Sequence, residues 1–415
     1  MFDQLFGKLS AVVHHRAAPY AAERERFLEH CTQQGYARRN VQKLAAMLLV
    51  AAHELHSHGG LRASPEDVEA AADRVQQLRA ALHRPGNAHT YRKIFVRVTT
   101  QWLIFAGSLK VPAIRPRHFS GLLDDFAEWM AQERGLSPHT IRNRRWHVER
   151  FLSWLEEHNR PVADLQLRDV DAYFEALHTK GLSRVTIKIH ANGVRAFLRH
   201  AERRAWCPTH LADLLSGPRI YRQDGLPLGP SWDDVQQLIE STASDEPGDI
   251  RDRAILLLFA VYGLRAGEVA DLRLDDLDWK HDQLIVPRSK QRRRHIYPLV
   301  PSVGQAIIRY LKEVRPQCAL PHVFLKLLAP VGPMTSGALY LVVAKRLKGL
   351  GIEARRYGPH ALRHACAGRL LAQGLSLKEI GDHLGHRSLS STRVYAKVDL
   401  HGLREVAAFD CGEIL

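Results

Sequence analysis

A tyrosine, two histidines, two arginines and a lysine stand in the C-terminal half of the chain at spacings that suit phosphate chemistry. The stretch LGHRSLSSTRVYAKV places Tyr395 nine positions after His386, which follows a short helix broken at Gly385. In GPHALRHACAGRLLAQG, His360 and Arg363 are three apart and share a helix face, with Gly358-Pro359 marking the helix start and His364 on another face. In VYGLRAGEVADL, Arg265 follows a glycine break at the mouth of the next helix, and Glu268 follows it by one turn. Lys290 sits in the basic stretch SKQRRRH, between two segments with strand periodicity. Together these groups can run a phosphoryl transfer. Two arginines neutralise the non-bridging oxygens of a phosphodiester. Two histidines donate to the phosphate or exchange protons with it. A lysine protonates a leaving oxygen, and a tyrosine attacks phosphorus and stores the bond covalently.

Each member has a plainer reading. Arginine at a helix start adds positive charge to a terminus that is already positive, which suits an anion and phosphate best. The alternative is an i,i+3 surface salt bridge between Arg265 and Glu268. His360, His364, His383 and His386 are also conceivable metal ligands. However, the HxxxH spacing lacks the acidic partner of a zinc-protease motif, and neighbouring arginines repel a cation. The expectation is no metal and no cofactor, since the arginines supply the positive charge.

The composition fits a polyanion as substrate. The chain has 415 residues, 59 Lys and Arg against 44 Asp and Glu, and a net charge of +15. That excess is the electrostatic footprint of a nucleic-acid binder. The alternative is a basic surface that serves solubility. Five cysteines (Cys31, Cys207, Cys318, Cys366, Cys411) have no CxxC spacing, which speaks against a disulfide framework or a zinc knuckle. No run approaches a membrane span and the N-terminus lacks signal-peptide order. The expected location is cytoplasmic, in a bacterial cytosol or nucleoid, with no membrane partner.

Most of the elements that must position these groups are helical. FAEWMAQERGLSPHTIRNRRWHVERFLSWLEEH carries Phe126, Trp129 and Met130 on one face. Beyond the Gly135–Pro138 break, Ile141, Val148, Phe151, Leu152 and Leu155 continue the stripe, and Ser137 caps ahead of Pro138. Two further helices follow. The outward faces of this module carry Arg142, Arg144, Arg145, Lys188, Arg195 and Arg199, which are read as DNA contacts. An earlier stretch repeats the order. Phe27 stands as Phe126 does, Gly35-Tyr36 as Gly135-Leu136, SPEDV echoes LRDV, and YRKIFVRVTTQWLIFAG echoes VTIKIHANGVRAFLRHA. This reads as an internal repeat of about 100 residues, with chance likeness of two amphipathic bundles as the alternative. Prolines and glycines between 205 and 232 mark a linker, after which Ser231 caps a helix with acidic residues in its first turn. A buried helix ends at Gly263. Then DQLIVPRSKQRRRHIYPL changes period, with Leu284 and Val286 inward on one arm and Ile296 and Leu299 marking the other. Arg292, Arg293 and Arg294 crowd the turn and join the expected DNA contacts. The boundaries expected are an N-terminal helical domain at 1–110, a helical DNA-binding domain at 115–210, a linker at 211–230 and a catalytic domain at 231–415.

The pieces GLRAGEVADL, SKQRRRHIYPL, HALRH, LGH and the tyrosine nine residues beyond occur in an order and spacing that resemble the tyrosine recombinases, also called the phage integrase family. The likeness covers roughly the last three-quarters of the chain. By this resemblance Arg265 and Arg363 are the catalytic arginines, Lys290 the hairpin lysine, His360 with Arg363 the HxxR pair, His386 the final histidine and Tyr395 the nucleophile. The family's hairpin lysine is usually flanked by glycine, whereas here it sits in RSKQRRRH. The resemblance implies a mostly α fold: a helical core-binding domain and a mixed, mainly α catalytic domain with a small antiparallel sheet, preceded here by an extra helical domain. It implies a site-specific recombinase of integrase or transposase type that cleaves and rejoins double-stranded DNA through a 3′-phosphotyrosyl intermediate. A C-shaped clamp on the duplex and a homotetramer on paired sites, alone or with related recombinases, go with it. LHGLREVAAFDCGEIL, after Tyr395, is then a tail that docks on a neighbouring protomer. Two rival readings are a type IB topoisomerase and a catalytically idle DNA-binding regulator.

Overall fold

The structure is a computed structural model and describes residues 1–81, 88–110, 117–219, 229–288, 293–354, 356–386 and 392. The chain divides into two compact units, Ala113–Asp224 and the remainder, Met1–Pro112 with Gly225–Leu415.

In chain order, the first unit to appear opens with α1 (Phe2–Leu5), α2 (Leu9–Ala17), α3 (Ala21–Gln33), α4 (Arg38–Ser57), α5 (Pro65–Ala81) and α6 (Ala88–Phe105). Their apolar stripes close on a core that includes Phe27, Leu48, Phe95 and Trp102. The buried Arg24 is held by the carbonyls of His15, Ala18 and Pro19, so its charge is fully hydrogen-bonded locally.

The second unit contains α7 (Ser120–Gln132), α8 (Pro138–Glu157), α9 (Leu167–Thr179), α10 (Arg184–Arg203) and the one-turn α11 (Leu211–Leu214). Ser137 caps α8 by accepting the Thr140 N–H, with proline at the first helical position where no donor is lost. Phe126, Met130, Val148, Phe151, Leu152 and Leu155 are buried in one core, and Leu211, Ala212 and Leu215 belong to the same core.

The remaining elements are α12 (Trp232–Glu240), α13 (Pro247–Tyr262), α14 (Ala266–Ala270), β1 (Leu277–Asp278), β2 (Gln283–Arg288), β3 (Arg293–Pro298), α15 (Pro301–Glu313), α16 (Ser336–Gly349), α17 (Pro359–Ala372) and α18 (Leu377–Leu384). Ser231 caps α12 in a reciprocal box with Asp234. α13 is buried nearly all round, from Ile250 to Tyr262, and packs against α15 and α17. Gly263 ends it at φ +59, and a side chain there would also meet the Leu384 Cδ2 at 2.5 Å. Glycine is required twice over, by backbone conformation and by the close approach of α18.

The sheet is antiparallel in the order β1-β2-β3. β1 is a two-residue strand that the sequence pattern did not announce. Leu284 pairs with Tyr297 and Val286 with His295. The inward residue of β3 is therefore Tyr297, which is buried, and Ile296 is 57% exposed. Of the two residues that mark this arm, only Leu299 is in register with the inner face, since 295, 297 and 299 share the face of Leu284 and Val286.

Candidate active site

Three segments remote in sequence meet where α13 ends. Arg265, just after the Gly263 break, donates from one guanidinium nitrogen to Glu268 Oε1 at 2.7 Å and from another to the Gly385 carbonyl at 3.1 Å. Glu268 Oε2 also accepts the Arg265 backbone N–H at 2.8 Å. The salt bridge of this pair is thus formed, and the Arg265 side chain still keeps 44% exposure. α14 has only five residues, so its dipole contributes little and the anion affinity must come from the guanidinium groups.

Arg363 on α17 is 3% exposed. It donates to the Gly263 and Leu384 carbonyls, which ties α17 to both the α13 break and the end of α18. Arg265, His360 and Arg363 line one cleft of about 350 Å³ together with Leu264, Ala266, Ser336, Tyr340, Arg356 and the Gly358-Pro359 turn. Gly358 is held to glycine by Tyr340, whose ring carbon would lie 2.5 Å from an added Cβ.

The histidines are set up as neutral groups. His360 and His364 lie with ring centroids 4.4 Å apart. Burial, then the Arg363, Arg356 and Arg265 charges, hold His360 below the ordinary imidazole value. His386 is pushed down to about 4, by burial first and then by Arg363, Arg265, Arg288 and His360. Its Nδ1 lies 2.7 Å from the Thr392 hydroxyl. His364 is likewise lowered to about 4, by burial and then by His360. A cluster that is already strongly cationic keeps its imidazoles uncharged until an anion arrives. His383 turns its Nε2 toward the Val261 carbonyl at 3.3 Å, and no group of three or more His, Cys, Asp or Glu suited to a metal occurs among the described residues.

Sequence reasoning missed three groups. Arg288, the last residue of β2, is buried and reaches under the LGH turn. Its guanidinium donates to the Leu384 carbonyl at 2.9 Å and to the Tyr297 hydroxyl at 2.6 Å, and Tyr297 donates in turn to the His383 carbonyl. A Cβ on Gly385 would fall 0.6 Å from Arg288 Nη1. Only glycine lets the guanidinium pass, and Gly385 also sits at φ +62. Arg288 thus couples the hairpin to the backbone that carries His386. Nothing in its residue type separates it from the arginines at 292–294. Its alternation with Leu284 and Val286 was the available signal. Arg356 is the second missed group, a further cation of the cleft. Thr392 is the third, fully buried, packed against Gly381 and bonded to His386. Replacing Arg288 with Met is expected to cost about 3 kcal/mol of stability, the range for stripping a buried charged donor from its acceptors. It should also slow DNA cleavage at a temperature where the variant is folded. Thermal unfolding beside single-turnover cleavage checks both, and wild-type cleavage by the variant would show that Arg288 serves folding alone.

Lys290, Arg292 and Tyr395 lie outside the described residues, as does the segment after Tyr395. Arg293 opens β3 and Arg294 is exposed on it. The basic residues of α8 and α10 are not equivalent. Arg142 is exposed. Arg145 is paired with Asp124 at 2.6 Å, and Arg199 with Asp213 at 3.3 Å. Arg144 and Lys188 are half-buried. Arg195 is spent on the Leu215 carbonyl, where it ties α10 to the end of α11.

Residues 231–401 match the phage integrase family, and residues 123–205 match a phage integrase N-terminal SAM-like domain. An integrase/recombinase of Sinorhizobium fredii is 35% identical over 294 residues, which is 69% of this chain and 68% of the relative. The chain belongs to the phage integrase family. It is accordingly a site-specific DNA recombinase, an enzyme that breaks and rejoins DNA strands. A tyrosine recombinase XerC of Thermodesulfovibrio yellowstonii is 29% identical over 289 residues, covering 68% of this chain and 94% of the relative. Among solved structures, the XerH site-specific recombinase bound to palindromic difH substrate is similar with a TM-score of 0.55 at 15% identity, covering 84% of this chain and 97% of that one. A lambda integrase dimer bound to a COC′ core site is similar with a TM-score of 0.52 at 18% identity, covering 66% and 94%. These two likenesses are of fold, and they agree with the mostly helical architecture with a small antiparallel sheet expected from the sequence. No helix among the described residues is long and apolar enough to cross a membrane.

Proposed function

We propose that this phage integrase family member recombines duplex DNA through a covalent bond between Tyr395 and a 3′-phosphate. The observation that carries the reading is the convergence of Arg265, His360 and Arg363 on one cationic cleft, with His386 near enough to feel the charges of Arg363 and Arg265. Two guanidinium groups there face the charge that develops on the non-bridging oxygens of a phosphodiester under attack. The Tyr395 hydroxyl attacks phosphorus and gives its proton to His360, which is neutral and can accept it. The bond from phosphorus to the 5′-oxygen breaks, and Lys290 supplies the proton to that oxygen. The 5′-hydroxyl of a second strand then attacks the phosphotyrosine, the proton transfers run in reverse, and tyrosine is released. For His386 to brace the phosphate it must present an N–H. The Thr392 hydroxyl supports that tautomer by donating to Nδ1 and leaving the proton on Nε2. Arginine supplies the charge stabilisation throughout, so no metal step is needed. Four protomers on two paired duplexes, in the cytoplasm or nucleoid, complete the proposal, with Arg142, Arg144, Lys188 and Arg294 among the residues gripping the backbone.

Covalent trapping tests it. The full chain is mixed with duplexes nicked close to the cleavage position, so that the short released fragment bearing the 5′-hydroxyl diffuses away and the adduct cannot reverse. A denaturant-stable protein–DNA adduct in excess chelator is expected. An adduct that forms only with an added divalent ion would overturn the arginine-based mechanism. Relaxation of one supercoiled circle without exchange between two sites would place the chemistry in topoisomerase rather than recombinase use.

A further inference from the structure

Helices α3–α6 correspond to α7–α10 in order, with small shifts in offset from one helix to the next. α4 and α8 each have twenty residues. Moving along by one hundred brings the buried Leu48, Ala51, Ala52 and Leu55 onto the buried Val148, Phe151, Leu152 and Leu155. Each helix is preceded by a left-handed glycine, Gly35 at φ +83 and Gly135 at φ +56. Each is closed by a histidine whose Nδ1 lies against the carbonyl four residues back, His58 on Glu54 at 2.9 Å and His158 on Trp154 at 2.7 Å. The next helix in each set starts with an acidic side chain accepting the capping residue's N–H, Asp67 from Ser64 at 2.8 Å and Asp169 from Gln166 at 3.0 Å. On the last helix, the buried Thr99, Trp102 and Leu103 align with the buried Val194, Phe197 and Leu198. Apolar spacing alone arises in any bundle, but matched glycine turns, histidine closures and acidic caps do not.

Solvent positions are under no such constraint, and one pair matches there too. On the alignment that superposes Trp102 on Phe197, Lys93-Ile94 falls on Lys188-Ile189. Both isoleucines are exposed, Ile94 by 37% and Ile189 by 46%. Packing does not require an exposed isoleucine beside a lysine in the same place twice. One turn beyond Lys93, Arg97 is exposed and close enough to act on Tyr36, ahead of α4. Arg92, on the same helix, is by contrast tied to Asp73 and Glu69, each at 2.6 Å.

We infer that residues 21–109 are a second copy of the module at 120–203, and that Lys93, Ile94 and Arg97 on α6 hold the backbone of duplex DNA. The inference rests on the reading of the chain as a DNA recombinase. Lysine and arginine one turn apart reach successive phosphates, and the isoleucine between them packs on the sugar edge. Such contacts add affinity and length of grip without reading sequence.

The test uses the full chain with a labelled duplex, following affinity between 50 and 200 mM salt. Lys93→Ala combined with Arg97→Ala is expected to lower the slope of log affinity against log salt by about 1.8, since each phosphate contact contributes about 0.9. It should also shorten the protected footprint while leaving the melting temperature unchanged. Arg92→Gln, which alters charge on the same helix within an existing ion pair, should leave slope and footprint as they are. An unchanged slope in the double variant overturns the inference, and so does an equal change in Arg92→Gln, which would report overall charge. A change confined to sedimentation would assign the face to a second protomer and overturn it as well. If the unaltered chain fails to bind duplex at all, the recombinase reading falls, which is a distinct result.

Discussion

The Tyr395→Phe variant is expected to bind duplex DNA with the affinity of the unaltered chain and to form no protein–DNA adduct. Only one oxygen is removed, so the cations that hold phosphate are untouched. The chemistry, however, loses its nucleophile, and for a covalent mechanism that loss is at least about 10⁴-fold. The expectation draws on geometry upstream of the tyrosine. Nine residues upstream, His386 is fixed by the Gly385 turn, which Arg265 and Arg288 hold from beneath. Three residues upstream, Thr392 is fully buried and bonded to His386. His386 and Thr392 are therefore tied to each other beside the Gly385 turn. The measurement is denaturing electrophoresis of a nicked, labelled duplex after incubation with each protein, beside a binding isotherm on the same duplex. An adduct that survives denaturant with Phe at 395 would assign the nucleophile elsewhere. Loss of binding would show that the hydroxyl supports the fold or the DNA grip.

Much of this site was legible because its chemistry forces residue types into short local motifs. His360 and Arg363 must share a helix face, so they stand three apart. His386 needs a sharp turn after α18, so a glycine precedes it. Those constraints are written in adjacent residues. Arg288 was illegible for the opposite reason. Its role depends on the backbone carbonyl of Leu384, ninety-six positions away, and on the absence of a Cβ at Gly385. A basic stretch also hides one buried arginine among several of the same type. The face that Ile296 takes was open in the sequence, because a single strand arm carries two possible faces and pairing with β2 decides between them. The helices of both bundles followed from apolar period and from caps such as Ser137 and Ser231. Those signals are local, and the competing β alternation is absent there. Arg195 shows where surface inference ends. Its place on a basic helix suggested a phosphate contact, and its guanidinium is spent on Leu215.

The Arg363→Gln variant should cleave roughly 10³-fold more slowly, the loss that follows when a donor aimed at developing charge is removed. Arg363 does two things at once, and the prediction must separate them. It is buried and bridges the Gly263 and Leu384 carbonyls. It also lines the cleft and is the foremost charge acting on the half-buried His386 ring and on His360. A purely structural arginine would lower the melting temperature when replaced and leave the rate intact once folding is restored by cooling. An arginine that stabilises the transition state lowers the rate at every temperature. Its loss should also relax the depression of His386, so the His386 ring should titrate at higher pH in Arg363→Gln by NMR. Arg363→Lys keeps the charge but not the fork that reaches two carbonyls. It should recover most of the histidine shift and only part of the rate. Full-rate cleavage by folded Arg363→Gln would remove Arg363 from the chemistry and leave it as the tie between α13, α17 and α18. A rate defect with an unmoved His386 titration would mean that the two groups act on the phosphate separately, with no electrostatic coupling between them.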